Sequence, residues 1–333
     1  MPRIDIEALE DEWEEDHHLL ARRSRDLSVK AKQRIEQLDT ARVLGLDRGR
    51  VTVDWNGEVV EAVLAGTMRG GKAAVGDWVR VRPAKRDDDW PRIVEVLDRD
   101  SVLTRTADDV VDEERVVVAN ADQIVVVIAA DYLDGGTRFL DRVLVAASVG
   151  GLDAATCINK LDLVADDAAA MAEVDAVVER YEAIDVPVRV TSALTGEGVD
   201  ELGLLVAGTW TAFAGHSGVG KSLLFNRLVP DADHRVGEIG RYGGRHTTVA
   251  AWAWYAEALD AWLVDTPGVR SFGLGGLAPD QLVEHFPELR ELGCHLDDCT
   301  HTGEPGCRID ETAVDPVRWE AYLRLRASLQ EAG

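Results

Sequence analysis

Eight consecutive residues, Gly215-His216-Ser217-Gly218-Val219-Gly220-Lys221-Ser222, satisfy the pattern G-x-x-x-x-G-K-[ST]. The apolar run Trp210 to Ala214 precedes them and the amphipathic stretch Lys221 to Leu228 follows, so the pattern sits between a strand and a helix. Glycines there let backbone N–H groups wrap a phosphate, and the helix N-terminus adds a favourable dipole. Residues Gly215 through Leu223 then form a nucleotide cradle, with Lys221 on the β- and γ-phosphates and Ser222 on Mg2+. On this motif alone ATP and GTP are both open. A second apolar strand, Ala261 to Val264, runs into Asp265-Thr266-Pro267-Gly268. An acid at that point beside a P-loop strand is placed to hold Mg2+, and the Gly268 N–H to meet the γ-phosphate.

Base recognition is written earlier in the chain. The strand Ala154 to Ile158 ends in Asn159-Lys160-Leu161-Asp162. A carboxylate at Asp162 accepts two hydrogen bonds from the N1–H and exocyclic amine of guanine, and adenine offers no such donor pair. Asn159 orients the loop and contacts the base, while the Lys160 stem covers the ring face. The next strand, Pro187 to Thr191, leads into Ser192-Ala193-Leu194, whose backbone closes on the guanine O6. Four such residues by themselves read as a polar loop after a buried strand; the P-loop and the Ser192-Ala193 pair give them the nucleotide reading. A fourth cluster, Cys294-x4-Cys299-x-His301-x5-Cys307, supplies three thiolates and one imidazole, the donor set of a closed structural Zn2+ site. Cys157, alone in a strand, reads as core, and His295 as surface.

The 333 residues leave room for two or three domains to position these loops. Sixty-one Asp and Glu against 36 Lys and Arg give a net charge of −25, which excludes a uniformly basic nucleic-acid binder and a charge-driven membrane binder. Apolar runs such as Ile124 to Ala130 are too short to span a bilayer, and four cysteines make no disulfide scaffold. These features point to a cytoplasmic protein with no membrane partner. Residues 1–40 form a charged extension, acidic over 1–16 and basic from Arg22 to Arg34. It reads as a solvated, partly helical arm or, alternatively, as a phosphate-touching one. Residues 41–106 hold short strands with turn signals, among them Arg50 to Trp55, a turn at Asn56-Gly57, then Glu58 to Leu64, and this suits a small OB-type β-barrel. Trp78, Arg80 and Arg82 share one strand face, which suits stacking on bases and pairing with phosphates of RNA, or else covers the barrel rim as an ordinary solvent face. Residues 107–275 alternate strand and helix, as a doubly wound parallel α/β sheet does, and residues 276–333 are mainly helical around the Cys/His cluster.

The order of motifs (base loop, P-loop, Mg2+ acid) is a rotation of the usual GTPase order. It is tolerated because every loop leaves the same edge of one parallel sheet. With the barrel before it and the Cys/His cluster after it, the chain resembles the small ribosomal subunit biogenesis GTPases, the RsgA/YjeQ family, over about residues 41 to 325. The resemblance rests on Asn159–Asp162, Gly215–Ser222, Gly243-Gly244-Arg245-His246-Thr247-Thr248, Asp265–Gly268 and the Cys/His spacing. It implies an OB barrel, a circularly permuted GTPase domain and a helical zinc domain in one monomer. It also implies GTP hydrolysis with Mg2+, one structural Zn2+, and the small ribosomal subunit and its rRNA as partners, with nucleotide state timing release. Within it Arg245–Thr248 is the mobile switch and Thr248 reaches Mg2+, with Thr247 the alternative; Val249 stands where the family has a third threonine. Val269 stands where many GTPases carry a water-orienting Gln, so unaided hydrolysis is slow. His246 is the local candidate to orient or deprotonate the water, unless it is a solvated switch residue. Because the Asp265–Gly268 loop runs straight into the zinc domain, domain orientation is the natural output of the nucleotide. Competing readings are a P-loop kinase or ATPase, and a zinc-stabilised RNA-binding adaptor.

Overall fold

The computed structural model describes residues 33–47, 49–68, 73–86, 89–107, 110–230, 251–266, 272–274, 276–296, 299–309 and 313–332. The basic arm up to residue 32 and the segment Gly243–Thr248 lie outside them.

Five strands close the barrel: β1 (Thr40–Asp47), β2 (Arg50–Trp55), β3 (Glu58–Leu64), β4 (Trp78–Arg82) and β5 (Arg92–Val96). They pair in the order β1-β2-β3-β5-β4 and back to β1; only β3 and β5 are parallel. This is the OB barrel expected from the strand spacing, with β1 added ahead of the strands read from sequence. Asn56 and Gly57 take positive φ (58° and 85°), and the Gly57 N–H donates to Asp54 Oδ1 at 2.9 Å, so the β2–β3 turn has the twist a two-residue hairpin needs. Alternation sorts β4: Val79 and Val81 face the core with Val43, Val53 and Ile93, and Trp78, Arg80 and Arg82 face outward.

A hairpin of β6 (Val102–Ala107) and β7 (Val110–Ala119) follows. Next come β8 (Gln123–Ala129), β9 (Asp153–Asn159), β10 (Val188–Val190), β11 (Trp210–Ala214), β12 (Trp252–Ala256) and β13 (Ala261–Asp265). They lie in the order β10-β9-β8-β11-β13-β12, parallel except for β12. Every residue of β8 is buried, as the centre of a doubly covered parallel sheet demands. The helices between are α1 (Leu133–Gly150), α2 (Ala168–Glu182), α3 (Val199–Val206) and α4 (Lys221–Leu228). Strand order grows from β8 to β10 on one side, then jumps to β11 on the other. That reversal opens a crevice at the carboxyl ends of β8 and β11.

Two seams join the parts. At the first, β1 pairs with β12 at Gly45 and Trp252, where a Cβ on Gly45 would lie 2.1 Å from the indole; only glycine admits this approach. Beside it the Arg42 guanidinium lies 3.6 Å from the centre of Trp210 and 5.2 Å from that of Trp78, and donates to the Asn120 carbonyl at 2.5 Å. Burial lowers its pKa to about 10, with Asp122 opposing.

The second seam holds α5 (Pro287–Leu292) and α6 (Pro316–Ala332) against the sheet's helices. Asp141 of α1, 2% exposed, accepts from Arg318 (2.6 Å), Tyr181 (2.8 Å) and Arg324 (3.1 Å), and Arg318 also donates to Glu288 at 2.7 Å. Burial works against the charge on Arg318, but Asp141 and Glu288 outweigh it and hold the guanidinium above its ordinary range. Removing one partner strands a buried charge. Asp141→Ala is therefore expected to cost about 3–5 kcal/mol in urea denaturation and to loosen α6, read as faster amide exchange over that helix.

Candidate nucleotide and metal sites

All four nucleotide-reading segments leave the carboxyl edge of the parallel sheet, as the motif order required. After β11, Gly215 passes so close to β8 that a Cβ would lie 2.5 Å from the Val127 carbonyl. Gly220 has φ +90°, and a Cβ there would lie 2.3 Å from Asn159 Nδ2. The loop is thus wound tightly between β8 and the end of β9 before α4 starts at Lys221. Lys221 is buried, and its ammonium pairs with the Asp265 carboxylate at the end of β13. Thr266 closes the same strand end, its hydroxyl donating to the Phe213 carbonyl at 2.6 Å. Ser217 and Gly218 of the loop and Ser222 and Leu223 of the first turn of α4 are exposed; Val219 is buried.

Asn159, 1% exposed, ties the parts together. Its Nδ2 donates to the Val219 carbonyl of the phosphate loop at 2.9 Å, and its Oδ1 accepts from Ala193 N (2.9 Å) and Thr191 Oγ1 (3.1 Å). Lys160 turns the chain in the left-handed region (φ 68°), with its ammonium 3.7 Å from Asp131. Leu161 is buried and takes the Thr191 carbonyl on its N–H at 3.1 Å, which brings Asp162 over Ser192, whose hydroxyl donates to Asp162 Oδ1 at 2.5 Å. Cys157 lies fully buried beneath, its thiol pushed up to about 12 by desolvation, and so is an inert core group. Gly268, His246, Thr247 and Thr248 lie outside the described residues.

Some contacts carry no motif and escaped sequence reading. The His216 ring lies 4.4 Å from that of Phe139 on α1, and Phe139 lies 6.0 Å from Phe272, the first described residue after Thr266. Arg142 donates to the Phe272 carbonyl at 3.0 Å. On the barrel, Trp78 and Arg82 stand exposed, but Arg80 is folded back on the Leu38 carbonyl (2.8 Å) and Glu95 (3.7 Å). The outward face therefore offers one fewer free guanidinium than alternation alone suggests.

Cys294, Cys299, His301 and Cys307 gather with all ligand atoms within 4.8 Å of one another. The Cys294 and Cys307 sulfurs are 3.8 Å apart, and Cys307 Sγ is 3.5 Å from His301 Nδ1. A tetrahedron with Zn–S of about 2.3 Å and Zn–N of about 2.05 Å has edges of about 3.8 and 3.5 Å, so the donor set fits zinc in type and spacing. Glu304 folds the connecting turn, accepting from Thr300 N (2.9 Å), Thr302 N (2.8 Å) and the Thr300 hydroxyl, and these bonds lower its carboxyl pKa to about 2. The Leu296 backbone lowers the Cys294 thiol, whereas burial, with Cys307 and Cys294 alongside, pushes Cys299 up to about 12. A bound cation reverses that balance by favouring every thiolate.

Residues 96–275 match the RsgA GTPase family. The small ribosomal subunit biogenesis GTPase RsgA of Gemmatimonas aurantiaca is 41% identical over 267 residues, covering 78% of this chain and 85% of that protein. The chain belongs to the RsgA GTPase family. The protein of the same name from Bacteroides fragilis is 32% identical over 290 residues, covering 83% of this chain and 92% of its own. The YjeQ crystal structure from Thermotoga maritima superposes with a TM-score of 0.69 at 29% identity, over 88% of this chain and 98% of that one. The fold is shared too with YloQ, titled a circularly permuted GTPase, at a TM-score of 0.67 and 22% identity. Membership in the RsgA GTPase family accounts for the rotated motif order and implies GTP with Mg2+. No helix among the described residues is long and apolar enough to cross a membrane.

The sulfur geometry generates a direct test. The purified chain is expected to carry one zinc per molecule by elemental analysis. Chelation should lower its melting temperature, and Cys307→Ser should lose the metal. Because zinc takes thiolate and neutral imidazole, its apparent affinity should fall as pH drops from about 8 to about 6.

Proposed function

We propose that this chain is a GTP-hydrolysing assembly factor that acts late in maturation of the small ribosomal subunit. The observation that carries the proposal is the double attachment of Asn159, which holds the guanine-reading loop and the phosphate loop in one unit at the sheet's switch point. In this reading Asp162 accepts from the guanine N1–H and amine, Ser192 fixes that carboxylate, and Ala193 lies against the base edge. Lys221 leaves Asp265 for the β- and γ-phosphates. Ser222 and Thr248 ligate Mg2+, Asp265 holds it from the strand end, and the Gly268 N–H meets the γ-phosphate. Held by these residues, Mg2+ would supply charge neutralisation at the phosphates. Val269 cannot orient water, so His246 takes that role or the docked subunit supplies it.

The division into a barrel (41–106), a permuted GTPase domain (107–275) and a helical zinc domain (276–333) belongs to the same proposal, as do a monomeric state and a cytoplasmic location. Cys294, Cys299, His301 and Cys307 hold one structural Zn2+. The barrel, with Trp78 and Arg82 outward and Arg80 along its flank, faces rRNA. Nucleotide state then governs release from the subunit.

Turnover of GTP and ATP by the purified chain, with and without small ribosomal subunits, tests this reading. Slow GTP-specific hydrolysis that rises at least tenfold with subunits is expected, and Lys221→Ala should abolish it. Asp162→Asn should trade guanosine for xanthosine nucleotides, because the amide donates where the carboxylate accepted. Equal turnover of ATP would overturn the assignment.

A further inference from the structure

Helix α4 begins in the phosphate loop and ends beside the loop that follows β10. Its last turn carries Arg227, an exposed residue that belongs to no motif. The guanidinium forks: Nε donates to the Ala193 carbonyl at 3.1 Å and a terminal nitrogen donates to the Leu194 carbonyl at 2.8 Å. The peptide on the other side of Ala193 gives its N–H to Asn159 at 2.9 Å. Ala193 is thus gripped from both sides, by the end of β9 and by the end of α4. The loop also passes in ordinary contact with the cation. Gly196 has φ +96°, and a Cβ there would lie 3.4 Å from an Arg227 nitrogen. Ser192 and Glu197 close the loop behind it, the Ser192 N–H donating to the Glu197 carbonyl at 2.9 Å.

We infer that Arg227 is a positioning residue for guanine selection: it clamps the Ser192–Leu194 backbone to the far end of the helix whose N-terminus cradles the phosphates. Two donors in a rigid fork fix both the place and the tilt of the Ala193–Leu194 peptides, which one ammonium cannot do. The clamp makes the base loop move with α4, so base and phosphate contacts are set together. This inference rests on the guanine reading of Asp162 and Ala193 given above.

The test is competition of GDP and ADP against a fluorescent GDP, with GDP dissociation rates, for Arg227→Ala, Arg227→Lys and Asp162→Asn in the full-length chain. Loss of two hydrogen bonds near solvent corresponds to about 3- to 10-fold. Arg227→Ala is expected to weaken GDP and speed its release by that factor while ADP binding stays unchanged, so the GDP:ADP ratio falls. Arg227→Lys should recover part of the loss, and both variants should melt within about 2 °C of the parent, since the side chain is exposed. An unchanged ratio, or equal weakening of GDP and ADP, overturns the inference. If Asp162→Asn shifts preference to XDP while Arg227→Ala leaves the ratio alone, only the clamp falls. Should Asp162→Asn leave preference with GDP, the guanine reading fails and the clamp with it.

Discussion

Asn159 has almost no contact with solvent, yet its amide bonds in three directions, to the phosphate loop, to the hydroxyl of Thr191 and to the backbone of Ala193. A buried amide left short of partners is costly, so these three bonds stand or fall together. Val190 pairs with Ile158, so β9 and β10 end nearly level, whereas β11 stops at Ala214, level with Thr156, and its loop reaches the amide from beyond the strand end. The three bonds require Gly220, because any larger residue would meet the amide nitrogen. Much of the nucleotide edge follows from keeping this one side chain satisfied.

Around that edge the rest of the molecule is held by two cations of different design, one half-buried and one buried. Arg42 lies between the rings of Trp78 and Trp210 and joins the barrel to the sheet through ring faces and a carbonyl. Arg318 is neutralised by Asp141 and Glu288 and joins the C-terminal helices to α1. Helix α1 therefore carries three separate duties within about one turn. Phe139 packs on His216 of the phosphate loop, Asp141 grips α6, and Arg142 pins the chain at Phe272. Sequence order placed the Asp265 loop directly before the zinc region, which suggested that region as a body swung by the nucleotide. The packing makes α1 a second physical link between the same two places, one that runs through side chains rather than along the chain.

Motifs were legible because backbone-binding chemistry restricts residue type. The phosphate loop must be glycine-rich, the base loop must end in a carboxylate, and a zinc site must supply thiolates and imidazole. Strands were legible too, from apolar runs such as Ile124 to Ala130 and from the Asn56-Gly57 turn. Arg227, Arg42 and Phe139 were not legible. A guanidinium reaching a carbonyl or an aromatic face, or a phenyl under an imidazole, needs only a partner within reach, and no spacing along the chain encodes that partner. Arg80 illustrates the same limit: alternation put it on the outer face of β4, but a long flexible side chain on that face still found the Leu38 carbonyl.

The sequence by itself determined the candidate chemistry of this protein: which residue types suited to nucleotide and metal it carries, in what order, and on which kind of element. It did so because strand period, loop glycines and ligand spacing are local properties of the chain. Only the tertiary structure decided which of those groups are bound to one another, that Asn159 bridges two loops 60 residues apart, that Arg318 reaches Asp141 across 177, and that Arg80, on the outer face of its strand, is tied to the Leu38 carbonyl. Hydrogen bonds and ring contacts form between whatever atoms packing brings within about 3 to 6 Å. That proximity is set by the register of the whole sheet.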